Sequence, residues 1–198
     1  VACIRLGQGD VAAARRALNE GLDVRPRGGP ADPELSYAQA RVAEAEGQVD
    51  EAGEALAEAF AASKGQPIRA AVLALLAQTL EAKSDPTNAL DTWHQALAAA
   101  EPFLPHAPWF GEVDFRGRVE ARIGALFITQ TQGSRARTWL VSAAERFKAA
   151  NAPLFAARVM ANVGTLSMQL SSFADAAQWF GQAAATAESG GDFLFQSK

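Results

Sequence analysis

Residues 84–96 read Ser84-Asp85-Pro86-Thr87-Asn88-Ala89-Leu90-Asp91-Thr92-Trp93-His94-Gln95-Ala96, and this stretch decides the fold. A small residue and an acid open a tight turn, and Asp85 is placed to cap the helix that follows. Pro86 sits just inside that helix, where its missing N–H costs little. Alanine comes five residues after the first turn residue, a large apolar residue four further on, and a small one three beyond that. Ala89, Trp93 and Ala96 therefore share one helix face.

The same spacing recurs in both directions along the chain. Gly9-Asp10-Val11 leads to Ala14, Leu18 and Gly21, and Gly47-Gln48-Val49 to Ala52, Leu56 and Ala59. Downstream, a turn near 131–134 leads to Ala136, Leu140 and Ala143, and Ser171-Ser172-Phe173 to Ala176, Phe180 and Ala183. Each preceding helix carries a small residue seven positions before the turn: Ala40, Ala77, Gly124 and Gly164. Two antiparallel helices joined by a short turn approach closely only if one residue at the contact is small. One such hairpin cannot bury its apolar face alone, whereas a stack of them can.

Helices are expected at 1–8, 10–24, 33–46, 49–63, 67–82, 86–100, 109–131, 134–150, 153–170 and 173–189. Asp10, Asp50, Asp85 and Ser134 are the expected caps. Breaks rich in Gly and Pro separate units at 1–26, 33–64, 67–101, 109–150 and 153–189. The aromatics on second helices, Trp93, Trp179, Phe147, Phe173 and Phe180, are expected mostly in the core. Trp139, one residue ahead of the core position, is expected at the outer surface. The chain opens on Val1 and closes on an apolar run near Phe193, so a piece of a longer protein is expected.

Composition narrows the function. The net charge is −4 over 198 residues, which lacks the basic footprint of a nucleic-acid binder. Residues 1–100 carry a net of −5 and residues 101–198 a net of +1, so an anionic ligand belongs with the second half. Cys3 is the only cysteine, which fits a reducing, cytoplasmic setting. No apolar run approaches the roughly 20 residues that span a bilayer. No phosphate loop or nucleophile motif occurs, and Cys3 has no histidine near it in sequence. His94 and His106 lack the spacing of metal ligands. No enzyme, cofactor or metal site is expected.

These residues resemble the tetratricopeptide family. The match is best at the small residues and on the second helices, while the first-helix tryptophan is missing in every unit. The turns lie 38, 37, 47 and 40 residues apart, against about 34 in the family. That looser spacing is similar to the degenerate arrays attached to bacterial signalling ATPases, kinases and transcription regulators. The resemblance implies an all-α, right-handed solenoid of about five hairpins, the first truncated. It also implies a protein- or peptide-binding scaffold whose first helices line a concave groove.

The family's groove-facing offsets point to Tyr37, Arg41 and Glu44, then Gln78 and Glu81. They continue with Arg118, Arg122 and Ala125, and with Arg158, Asn162 and Thr165. The site expected from them is Tyr37, Arg41, Gln78, Arg118, Arg122, Arg158 and Asn162. Guanidinium groups grip carboxylates by paired hydrogen bonds, so an acidic peptide is the expected ligand. Arg118 and Arg122 resemble half of the family's carboxylate clamp. Leu75, Tyr37 and Arg41 replace the other half. The rival reading has these arginines paired with neighbours such as Glu120. A second rival makes the array a spacer or oligomerisation arm that self-associates through its terminal hairpins. The long connection at 101–111, with Phe103, Trp109 and Phe110, reads as a packed cover or as an anchor for a partner.

Overall fold

The computed structural model describes residues 2–24, 30–103 and 115–190. They form ten α-helices and no strand: α1 Ala2–Gly7, α2 Val11–Asp23, α3 Pro33–Ala45, α4 Val49–Ala62, α5 Ile68–Ala82, α6 Pro86–Ala100, α7 Phe115–Thr129, α8 Gly133–Ala149, α9 Pro153–Gln169 and α10 Phe173–Ser189. A short 3-10 turn, Glu101–Phe103, ends α6. Consecutive pairs pack as hairpins, and the hairpins stack into an α-solenoid. Residues 109–114 of the expected fourth unit lie outside the described residues, as do His106, Trp109 and Phe110. Phe103 packs half-buried on the core.

The small-against-large contact is the joint of each hairpin. A methyl carbon added at Gly124 on α7 would stand 2.7 Å from Leu140 Cγ on α8. One added at Gly164 on α9 would stand 2.9 Å from Phe180 Cε1 on α10. Ala40 and Ala77 hold the same place on α3 and α5, both buried. The helices thus approach until backbone meets side chain, as in any closely packed interior.

All five turns within hairpins share one construction. Gly9, Gly47, Ser84, Thr131 and Ser171 each take a positive φ, between 57° and 78°. The next residue's N–H reaches back five residues to a helix carbonyl. The bonds run Asp10 to Arg5, Gln48 to Ala43, Asp85 to Leu80, Gln132 to Phe127 and Ser172 to Ser167, at 2.8–3.0 Å. This left-handed cap satisfies carbonyls that the helix end would leave unpaired. The same residue then starts the following helix.

Some expectations need correction. Asp10 and Asp85 do cap, accepting from the N–H of Ala13 and Asn88. Asp50 and Ser134 do not, because Gln48 and Gln132 take the cap positions and place both residues in the first turn. Asp32 caps α3, accepting from Glu34 and Leu35. Trp93 and Phe147 are buried, but Phe173 is 67% and Phe180 37% exposed, since no further described helix covers α10. Trp139 is half-buried against the core and meets His94 edge-on at 5.4 Å.

Two arginines clip neighbouring hairpins from the same repeat position, the residue after the repeat alanine. Arg15 on α2 pairs with Glu46 and Glu51 of the second hairpin. Arg137 on α8 grips Asp175 of the fifth with two bonds of 2.6 and 3.0 Å, and Ser167 joins it. Arg137 beside Asp175, with the Ser167 hydroxyl, holds that carboxyl well below the usual range.

Replacing Gly124 by valine should destabilise the fold by about 2–3 kcal/mol through overpacking. Gly181, where an added carbon meets nothing within 4 Å, should gain about 0.5–1 kcal/mol as alanine. Urea denaturation of the two variants measures both. In the same assay Thr131→Gly should stabilise by about 1 kcal/mol, since a β-branched residue is strained at positive φ.

Candidate functional site

The first helices line one side of the solenoid. Tyr37 and Arg41 project from α3, Gln78 from α5, Arg118 and Arg122 from α7, and Arg158 and Asn162 from α9. All seven border one open groove with a cavity volume of about 640 Å³. Arg118 and Arg122 stand four residues apart, one above the other on a helix face. Ala125 joins the lining, but Thr165 does not, and its hydroxyl donates to Ala161 O.

The described residues of the lining are one-signed: they carry four arginines and no aspartate or glutamate, in a chain whose net charge is −4. Beneath the arginines lies an apolar floor that includes Phe115, Phe147, Phe155 and Val159. Phe155 is 39% exposed and stacks on Phe147 with ring centres 5.5 Å apart. Cations over an apolar floor suit a ligand that presents carboxylates and buries a hydrophobic stretch.

The arginines are held to different degrees. Arg41 donates to the Tyr37 hydroxyl at 3.2 Å and stands 3.8 Å from Glu44. Arg122 meets Glu81 at 2.9 Å, and the other Glu81 oxygen accepts the Trp93 indole N–H at 2.6 Å. Arg158 is exposed and makes no ion pair among the described residues. Arg118 is exposed as well. Half-exposed pairs of this kind are worth about 0–1 kcal/mol, so a ligand carboxylate competes with them readily.

Glu120 serves elsewhere. It is 2% exposed and accepts from Arg116 Nε at 3.0 Å, Arg146 Nε at 2.9 Å and Ser142 Oγ at 2.7 Å. Its carboxylate ties α7 to α8, and the acid that pairs with Arg122 is Glu81. Cys3 lines the groove at its first-hairpin end. Desolvation by the surrounding protein raises the thiol's pKa despite its partly open surface, with Arg41 opposing. A neutral thiol is a poor nucleophile. Among the described residues, no three His, Cys, Asp or Glu side chains converge on a metal-sized point. Nor is any helix there long and apolar enough to cross a membrane.

No family model matches the chain, and neither does any curated protein. Solved structures do match. PilW, a type IV pilus biogenesis factor, superposes with a TM-score of 0.69 at 16% identity, over 94% of this chain and 74% of that one. A putative kinesin light chain from Podosopora anserina, with TPR-like repeats, gives 0.64 at 17% identity, over 95% and 92%. The chain has the tetratricopeptide-like fold. Aspartyl phosphate phosphatase F from Bacillus subtilis gives 0.76 at 17% identity, and this chain spans 51% of its length.

Within this tetratricopeptide-like array, the family's groove-facing offsets pointed to the arginines and gave no sign of the floor. Phe155 lies three residues before Arg158, and that offset on α9 is the signal that places it in the groove. Phe147 and Trp93, expected as core, also border the groove, because the second helices show their large residues between the first helices. Replacing Glu120 by alanine should cost about 2–4 kcal/mol, as it leaves Arg116 and Arg146 facing an emptied site. Thermal unfolding followed by circular dichroism measures the loss.

Proposed function

We propose that the array is a non-catalytic scaffold that binds an acidic protein segment or peptide in the groove between its first helices. The observation that carries this reading is four arginines and no acid among the described lining residues, above an apolar floor. Arg118, Arg122 and Arg158 would take the ligand carboxylates, and Phe155 and Phe115 its apolar contacts. Tyr37, Gln78 and Asn162 would bond the peptide backbone. Residues 1–198 would act as one array, in a bacterial signalling role in the cytoplasm. A short peptide held in this way binds at about micromolar strength, near −8 kcal/mol.

A second reading makes the array an oligomerisation arm. It is favoured by Met168, Leu170 and Phe173, all exposed around the turn of the fifth hairpin. Light scattering over a concentration series separates the two. A second copy docking there would raise the mass, and Phe173→Glu would reverse the change.

The groove is tested by titrating acidic and basic peptides of equal length into the chain by calorimetry. Acidic peptides should bind with a salt-dependent affinity, and basic ones should not. The triple change Arg118→Ala, Arg122→Ala and Arg158→Ala should weaken binding by more than about tenfold. Unchanged affinity in that variant overturns the groove reading.

A further inference from the structure

We propose that the bound peptide inserts one aliphatic side chain into a socket between the second and third hairpins. This rests on the groove reading above and adds a specificity to it. The socket has a volume of about 230 Å³ and apolar walls, among them Ala52 and Leu56 of α4 and Leu75 of α5. A dry cavity of about 150 Å³ already accepts a benzene-sized group. Among the described residues, Glu44 and Lys83 are the charged groups in its lining. The Thr79 hydroxyl, also there, is already committed to Leu75 O at 3.0 Å. Among the described residues no buried side-chain polar atom of the wall lacks a partner, and the exposed Lys83 ammonium is open to water, so the fitting occupant of the apolar part is hydrocarbon.

The socket exists because one repeat position is vacated. The residue after the repeat alanine closes the other junctions. Arg15 does so through Glu46 and Glu51, Arg137 through Asp175, and Leu90 by packing on the core. In the second hairpin that residue is Gly53, and a carbon added there meets nothing within 4 Å. Ala52 is accordingly half-open, whereas Ala14, Ala89, Ala136 and Ala176 are at most 2% exposed.

The socket adjoins the groove. Leu75 borders both cavities. Ala40 and Glu44 of the socket lie one turn beyond Tyr37 and Arg41 of the groove on α3. A peptide whose carboxylates reach the arginines of α7 and α9 continues along the first helices to this opening. Its next apolar side chain finds the socket there.

The test pans a random dodecapeptide library on the whole chain, then measures Kd for the selected peptides and their aliphatic→Ala forms. Acidic sequences carrying one recurrent Leu, Ile, Val or Met are expected. Truncating that residue should weaken binding to the wild-type chain by about tenfold or more. Gly53→Leu and, separately, Ala82→Leu fill the socket from two walls, and in both variants the truncation should lose most of its effect. Circular dichroism confirms that each variant folds. Acidic peptides without an aliphatic preference, or a preference indifferent to both fillings, overturn the socket and leave the groove standing. Selection without acidic residues overturns the groove reading itself.

Discussion

The structure depends on how closely two helices of a hairpin can approach. At Gly124 against Leu140 and Gly164 against Phe180, the first helix offers backbone where the second offers a large side chain. The large residue fills the space that the missing side chain leaves. Its burial supplies the hydrophobic driving force, and the short turn fixes the register. Hairpins built this way present an apolar ridge on each flank, and stacking hides those ridges. The buried residues from Ala70 to Ala183 accordingly form one contiguous core across three hairpins, with two smaller clusters toward the first helix.

The turns make that approach repeatable. One left-handed residue followed by one cap residue reverses the chain in the least length that still satisfies the helix-end carbonyls. Glycine fills the left-handed place in the first two hairpins, while Ser84, Thr131 and Ser171 fill it in the others at some strain. The junctions between hairpins are less uniform. Arg15 and Arg137 clip two of them, and Gly53 leaves one open. The repeat is regular inside each hairpin and variable between hairpins.

Stacking also sorts the charge. First helices face the groove and carry its arginines, while most acids stand elsewhere. Glu81 and Glu44 are local exceptions: Glu81 binds Arg122 and the Trp93 indole at once, and Glu44 stands 3.8 Å from Arg41. A small excess of negative charge over the whole chain thus coexists with a positive groove. The field of four arginines above an apolar floor is less screened than it would be on an open surface.

The spacing of alanines and glycines, with the start and stop signals, placed the described helices within a few residues, apart from the start of α7, because contact geometry and turn length leave a strong periodic trace. The resemblance to the tetratricopeptide family, through its groove-facing offsets, put the arginines beside one groove, and they border it here. The capping residues Gln48 and Gln132 were not legible, because backbone geometry at the turn, and not side-chain type, chose them. Nor were the exposure of Phe173 and Phe180, the Glu81 bridge, the aromatic floor or the socket beside Gly53. Each depends on what a neighbouring hairpin brings to the same point. A periodic sequence specifies which residues face a neighbour, and only the stacked hairpins decide which neighbour is there and how much space it leaves.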